Sequence, residues 1–193
     1  MWHVFRTIGG PKRSHRSKPQ RPAMGVEGLE RRELLTGGSV VGSGATVYVI
    51  PAPSGPNITT VSYQSQNGTS MVNVNLNGTN YDFNASNFTS LEYLGFSATG
   101  SQIFSDSTSL QVIAIGGSGS NLFEGGSGED IFIGGTGSNT FDAGTGFDIL
   151  ESGFGSNTFN ENASGSGMIE EFGFSNTINS QPGATGNYAV MYF

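Results

Sequence analysis

The feature that most constrains the fold of this chain is a nine-residue period that begins at Gly116. Five consecutive blocks follow it: GGSGSNLFE (116–124), GGSGEDIFI (125–133), GGTGSNTFD (134–142), AGTGFDILE (143–151) and SGFGSNTFN (152–160). The glycines allow the first residues of a block to turn without a Cβ penalty. The last three residues form a short strand whose middle, apolar residue points inward. Two blocks make one coil, and stacked coils build two parallel sheets around a thin apolar core.

Weaker copies of the period extend the array in both directions. Residues 97–105 place Phe104 inward, residues 106–115 carry one inserted residue and place Ile113 inward, residues 161–169 place Met168 inward, and residues 171–179 place Ile178 inward. The array then exceeds the three repeats that a solenoid needs for stability. We therefore predict an all-β fold, in which a short β-meander precedes a parallel β-roll or β-helix of nine-residue half-coils.

Composition and turn signals divide the chain into segments. Five are predicted: a basic disordered export or processing segment (1–36), a linker with a short strand (37–57), a β-meander (58–94), the Gly-rich β-roll repeats (97–180) and a C-terminal strand (181–193). The meander is indicated by alternating apolar residues and by two Asn-Gly pairs, which are typical of tight hairpin turns. No stretch is long and apolar enough to predict a transmembrane span.

Charge is distributed unevenly along the chain. All eight Lys and Arg residues and both His residues lie at or before Arg32, whereas thirteen of the fifteen Asp and Glu residues lie at or after Glu33. The body of the chain therefore lacks the cations that nucleic-acid phosphates require. It also lacks the His, Lys and Cys of most nucleophilic, acid–base and zinc sites. We therefore expect a non-enzymatic protein without a nucleic-acid partner, and hard-cation binding by oxygen ligands stays open.

The blocks resemble the G-G-x-G-x-D-x-U-x repeat of RTX, or haemolysin-type, calcium-binding proteins. The apolar U position is occupied in all five strong blocks, by Phe123, Phe132, Phe141, Leu150 and Phe159. The resemblance implies a calcium-binding β-roll with Ca²⁺ in its Gly-Asp turns. It also implies a bacterial protein that is secreted to the extracellular space or the cell surface.

Alternate blocks are expected to stack on the same edge of the roll, which makes the two edges different. The Asp edge is the edge whose turns carry Asp130 and Asp148. These two residues match the Asp of the family repeat. The resemblance implies that both carboxylates bind Ca²⁺, one or two ions in all, and that Glu129 adds charge nearby. Turn carbonyls would complete the ligand shell, near Gly126, Gly128, Gly144 and Gly146. The alternative is that both Asp residues only cap turns, as Asp beside Gly does well.

The opposite edge, the Asn edge, carries Ser-Asn pairs where the family repeat has Asp. Its amides are Asn121, Asn139, Asn157 and Asn176. At the strand spacing of about 4.8 Å, such amides can hydrogen-bond from coil to coil. This structural ladder would hold the edge without a metal ion.

A second resemblance lies in the basic segment. Residues 29–36, LERRELLT, resemble the L-E-P-R-x-L-L-S motif of secreted and surface proteins of planctomycete bacteria, with Arg31 in place of Pro and Thr36 in place of Ser. The resemblance implies export or processing. A short charged helical turn is the alternative.

Three hypotheses of function follow. The first is a secreted structural or adhesive domain that binds calcium, with extracellular matrix, cell-surface polysaccharide or a surface protein as further partner. The second is a metal-independent spacer or surface protein held by the Asn edge. The third is a carbohydrate-active β-helix enzyme, since Glu124 and Asp142 lie one coil apart and could act as a carboxylate pair. The lack of cationic groups near such a pair disfavours the enzyme.

Overall fold

The structure, a computed structural model, describes residues 37–162, 164–172, 175–180 and 188–193. The basic segment with its LERRELLT motif and residues 181–187 lie outside the described residues. The described part contains the strands β1 (Ser39–Ser43), β2 (Thr46–Ile50), β3 (Asn57–Gln66), β4 (Thr69–Leu76), β5 (Thr79–Asn84), β6 (Ser90–Leu94), β7 (Gln102–Asp106), β8 (Gln111–Ile115), β9 (Asn121–Glu124), β10 (Asp130–Ile133), β11 (Asn139–Asp142), β12 (Phe147–Glu151), β13 (Asn157–Glu161), β14 (Ser166–Glu171), β15 (Thr177–Ser180) and β16 (Tyr188–Tyr192). Its helical content is one 3₁₀ turn, Ala85–Asn87, and the described residues hold no helix with the length and apolarity to cross a membrane.

The strands form two eight-stranded sheets. Sheet 1 has the order β1-β2-β6-β8-β10-β12-β14-β16, and sheet 2 has the order β15-β13-β11-β9-β7-β3-β4-β5. From β6 onward, consecutive strands alternate between the sheets, and each pairs in parallel with the strand two places later in the chain. The chain is therefore an all-β parallel solenoid, as the nine-residue period predicts.

Antiparallel hairpins lie at the end of the solenoid where the described residues begin. β1 pairs antiparallel with β2, and β3, β4 and β5 form an antiparallel meander. Asn67 and Asn77 adopt positive φ angles, 52° and 51°, in the two turns of this meander. β2 and β3 also pair in parallel with β6 and β7. The first coil therefore begins at Thr46, well before the first recognisable nonapeptide copy at Ser97.

Aromatic rings fill the space between the two sheets. Phe123, Phe141 and Phe159 stack along sheet 2, with successive ring centroids 5.5 and 4.9 Å apart. Phe132 faces them from sheet 1, and its ring centroid lies 5.5 Å from that of Phe123. These four side chains and Leu150 are fully buried. The U positions therefore form the apolar core of the repeats. Burying one such side chain contributes about 1.5–3 kcal/mol to the stability of the fold.

In two of the weak copies, the residue that faces inward differs from the expectation. The expectation that Ile113 and Met168 face inward is wrong: both are half-buried on the outer face of sheet 1. Their neighbours Val112 and Ile169 are fully buried instead. The turns before β8 and β14 are each one residue longer than the strong blocks require, and a shift of one residue exchanges the two faces of a strand.

Candidate metal centre

The turns from sheet 2 to sheet 1 bring carboxylates into the interior of the solenoid at the Asp edge. Asp130 begins β10, and Asp148 is the second residue of β12. The pairing of Ile131 with Ile149 places the two Asp residues in register on neighbouring coils, and both are fully buried. The strand alternation that turns Phe132 inward also turns the residue two places earlier inward. The structure thus brings Asp130 and Asp148 together in one inward column.

The two carboxylates are tied to the backbone of the preceding coil. Oδ1 of Asp130 accepts a hydrogen bond from the Val112 amide at 3.1 Å, and Oδ1 of Asp148 accepts one from the Asp130 amide at 3.0 Å. Oδ2 of Asp148 accepts from the Tyr188 hydroxyl at 3.3 Å. Oδ2 of Asp130, in contrast, is buried and makes no hydrogen bond of ordinary geometry, although the Gly126 amide lies close enough to this carboxylate to lower its pKa slightly. An unsatisfied buried polar group costs about 1–3 kcal/mol, and more when it is charged, so this atom needs a cation or a proton.

Burial makes ionisation of these carboxylates unfavourable. Removal from water, with the charge of Asp148 as a smaller cause, raises the pKa of Asp130 from 3.8 to about 7. Burial also raises the pKa of Asp148 to about 6, and the charge of the exposed Glu129 acts in the same direction. No Lys, Arg or His lies at or after Glu33, so the described residues hold no side-chain cation to neutralise this edge. A divalent cation would supply the missing charge and favour the ionised form of both groups.

The glycines of the Asp edge allow successive turns to lie backbone against backbone. A Cβ atom on Gly128 or Gly146 would stand 2.0 Å from a carbonyl oxygen of the preceding turn, which no side chain tolerates. The carbonyls of Gly126 and Gly146 accept hydrogen bonds from amides of the following turn at 2.9 Å, and Gly144 adopts a positive φ of 79°. A carbonyl oxygen has two lone pairs, so these turns keep oxygen donors beside the carboxylate column.

The Asp edge contains two further buried carboxylates that the repeat motif does not identify. Asp106 ends β7 and Glu161 ends β13, and they are 4% and 5% exposed. Each lies two residues after an inward Phe, Phe104 or Phe159, so strand alternation turns it inward as well. Each also occupies the first position of a weak block, where the strong blocks carry Gly, Ala or Ser. This alternation is the signal in the sequence that would have identified them.

The carboxylates follow one another along the edge and do not form one cluster. Within the described ranges, no three Asp, Glu or His side chains lie close enough together to hold a metal ion. Ca²⁺ takes six to eight oxygen ligands at about 2.3–2.6 Å, from carboxylates and backbone carbonyls. The donors of the Asp edge therefore fit ions held between adjacent turns by carboxylates and several carbonyls.

The Asn edge is closed by amides. The side-chain nitrogen of Asn121 donates to Oδ1 of Asn139 at 2.6 Å, that of Asn139 to Asn157 at 2.8 Å, and that of Asn157 to Asn176 at 2.9 Å. The first three amides also donate to a carbonyl of their own turn. Oδ1 of Asn121, at the start of this row, is buried without a partner. The row runs from coil to coil through neutral groups, in contrast to the opposite edge.

The third pair of carboxylates lies outside the interior. Glu124 and Asp142 are in register on β9 and β11, where Glu124 is exposed and Asp142 is half-buried on the outer face of sheet 2. The next residues in the same column are Asn160 and Asn179. In this column, therefore, two neighbouring coils each carry one carboxylate and the next two coils carry amides.

Comparison with known families identifies the repeats. Residues 115–150 and 133–160 match the family model of the RTX calcium-binding nonapeptide repeat, which has four copies. The resemblance seen in the blocks is thereby confirmed, and the match includes Asp130 and Asp148. Searches of curated proteins and of solved structures found no match to this chain. RTX calcium-binding repeats wound into a β-solenoid fit a calcium-binding repeat domain.

Proposed function

We propose that this protein is an extracellular structural or adhesive domain in which Ca²⁺ binds at the Asp edge and stiffens the solenoid. The observation that carries the proposal is Oδ2 of Asp130, a buried carboxylate oxygen that makes no hydrogen bond of ordinary geometry, on an edge without side-chain cations. Asp130 and Asp148 are the proposed carboxylate ligands. The turn carbonyls at Gly126, Gly128, Gly144 and Gly146 are the proposed neutral ligands, and Glu129 adds charge from the surface.

The physical effect of the ion follows from the electrostatics of the edge. Ionised, buried carboxylates on adjacent coils repel each other and destabilise the folded chain. A cation that binds only the folded state removes this repulsion and stabilises the fold by mass action. Since one ion contacts two turns, binding also couples neighbouring coils, which suits a stiff, surface-exposed domain.

An extracellular location supports such a role. Sites built from few charged ligands are weak, with dissociation constants of about 10⁻⁴–10⁻³ M in extracellular modules, and RTX repeats are typical of secreted or surface proteins of bacteria. The motif at residues 29–36 indicates export as well, and it stays a prediction. The acidic body of the chain keeps a solenoid with a thin core soluble. The proposed further partner is a surface polysaccharide, a surface protein or the extracellular matrix.

The test is a calcium titration of the full chain, followed by circular dichroism and thermal melting. Wild type is expected to melt at a higher temperature as Ca²⁺ is added, and to lose the gain when a chelator is added. The variant Asp130→Asn/Asp148→Asn is expected to show no response. Asp142→Asn is the matched control, because it removes one carboxylate from the outer face and should respond like wild type. A folded wild type that is indifferent to both Ca²⁺ and chelator would overturn the proposal.

That same outcome would favour a second candidate, a metal-independent spacer held by the Asn edge. The specific observation behind it is the unbroken row of amide hydrogen bonds from Asn121 to Asn176. This row needs no ion, so a chain that depends on it alone keeps its melting temperature in chelator. The two candidates therefore make opposite predictions for a single experiment.

A further inference from the structure

The two sheets of the solenoid differ in the residues on their outer faces. In sheet 2, β11 and β13 alternate, and their outward residues are polar: Thr140, Asp142, Thr158 and Asn160. In sheet 1, β8 and β10 are apolar on both faces, with the sequences QVIAI and DIFI. Near-continuous apolar runs are typical of parallel sheets that are covered on both faces, whereas alternation is typical of a sheet with one face in water. The strands of sheet 1 therefore indicate a covered outer face.

Apolar side chains form two adjoining columns on the outer face of sheet 1, which we call the apolar face. The strand register aligns Ile113, Ile131, Ile149 and Met168 in the first column, and Leu94, Ile115 and Ile133 in the second. All seven side chains are half-buried, and Phe147 beside them is 51% exposed. The described strands belong either to sheet 1 or to sheet 2, which packs on the inner side. No described strand therefore covers the apolar face.

The size of this face suits a second sheet of the same kind. Eight strands at a spacing of about 4.8 Å, each about 15 Å long, give an area of about 580 Å². Two such faces would bury roughly 1,200 Å² in total, which is the lower end of the range for specific protein interfaces. Two sheets pack face to face at about 10 Å. A second copy of this chain supplies a face of matching size, flatness and apolarity.

The carboxylates at the margins of the apolar face determine how two copies can meet. Glu92 precedes the first column, and Glu151 and Glu170 follow Ile133 in the second. The described residues include no Lys, Arg or His to neutralise them. A two-fold axis along β10 reverses the order of the coils, so that Glu151 lies opposite Ile115 of the second copy. In this orientation each of the three carboxylates lies opposite an apolar residue, and no two carboxylates face each other.

We infer that the apolar face binds the same face of a second copy, about a two-fold axis along β10. Such an interface is isologous, since both copies contribute the same residues. The inference goes beyond the proposed calcium binding, because the inward Asp130 and Asp148 do not lie on this face. The acidic bodies of the two copies repel each other at long range, and salt screens this repulsion. The dimer is therefore expected to tighten as the ionic strength rises.

The first experiment is sedimentation equilibrium of the full chain over a wide range of concentrations, in Ca²⁺ and in chelator. The mass of wild type is expected to rise with concentration from 20.1 kDa towards twice that value in both solutions. Ile131→Lys is expected to stay monomeric, because two ammonium groups would face each other at the two-fold axis. Thr140→Lys is the matched control, since Thr140 has the same position in a strand of sheet 2, and it should dimerise like wild type.

A gentler variant and a cross-link keep the test sharp if Ile131→Lys does not fold. Ile131→Thr keeps the branched side chain and is expected to raise the dissociation constant of the dimer about tenfold. The chain contains no cysteine, so a single Cys reports only its own position. With a short bismaleimide, Ile131→Cys is expected to give a covalent dimer and Thr140→Cys is not. Circular dichroism checks that each variant is folded.

The outcomes separate this inference from the proposed function. A wild type that stays monomeric at every concentration overturns the inference and leaves the apolar face to a different partner. A dimer that survives Ile131→Lys, or that does not cross-link through Ile131→Cys, forms through another surface and overturns it as well. A dimer in a chain whose melting temperature ignores Ca²⁺ would establish this interface while the proposed function fails. A calcium response in a monomeric chain would give the reverse result.

Discussion

The stability of the calcium-free protein is expected to fall as the pH rises from 4 to 8, in contrast to proteins whose carboxylates are paired. The reason is Asp130, whose pKa in the folded chain is raised by burial from 3.8 to about 7. Each pKa unit corresponds to about 1.4 kcal/mol. Ionising Asp130 in the folded chain therefore costs up to about 4 kcal/mol relative to the unfolded chain, a large part of the 5–15 kcal/mol that typical domains have.

The direction of this pH dependence follows from proton binding. Between pH 3.8 and about 7 the folded chain binds a proton at Asp130 that the unfolded chain has released, so raising the pH favours unfolding. The contribution of protonated Asp130 to the free energy of unfolding is fully present below pH 3.8 and is lost as the pH passes about 7. Asp148, with a pKa of about 6, acts in the same direction, and the two losses are coupled because the charges repel each other. Calcium reverses the trend, since its ligands must be ionised and its affinity rises over the same range.

The assay is thermal melting in chelator at pH 4, 5, 6, 7 and 8, on wild type and on Asp130→Asn. At about 2–4 °C per kcal/mol for a chain of this size, wild type is expected to lose up to about 8–16 °C more than the variant across this range. At pH 8 in chelator the variant is therefore the more stable protein, although it has lost its calcium response. Parallel pH profiles for the two proteins, or a wild type that gains stability from pH 5 to 7, would refute the reasoning.

The remaining predictions concern the Asn edge and the stacked turns. Asn139→Ala should lower the free energy of unfolding by about 1–3 kcal/mol, since it leaves buried partners unsatisfied. Urea denaturation measures this loss, and the exposed control Asn179→Ala is expected to change the free energy of unfolding by about zero. Gly135→Ala should destabilise by about 1–3 kcal/mol, because its Cβ would stand 1.6 Å from a carbonyl oxygen of the preceding turn. Gly37→Ala, with nothing within 4 Å of its Cβ, is the control, and equal melting temperatures for these two glycine variants would contradict the stacking argument.

The solenoid and its two different edges follow from the periodic pattern of the sequence. Period-two alternation within each short strand predicts which residue faces the core, and the five strong blocks follow it without an interruption at Phe123 to Phe159. The eighteen-residue recurrence predicts that Asn139 meets Asn157 and that Asp130 meets Asp148, and the strands pair in that register. These features are local or strictly periodic, so they need no knowledge of the rest of the chain.

The way in which the irregular parts join the array depends on contacts between whole coils and cannot be read from the period. Turns one residue longer than the repeat shift β8 and β14, so Val112 and Ile169 are inward where the simple period indicates Ile113 and Met168. Only the folded coils show that Asp106 and Glu161 are buried at the same edge as Asp130. The physical reason is that a one-residue difference in a turn costs little locally, whereas register is decided by the packing and hydrogen bonds of whole neighbouring strands.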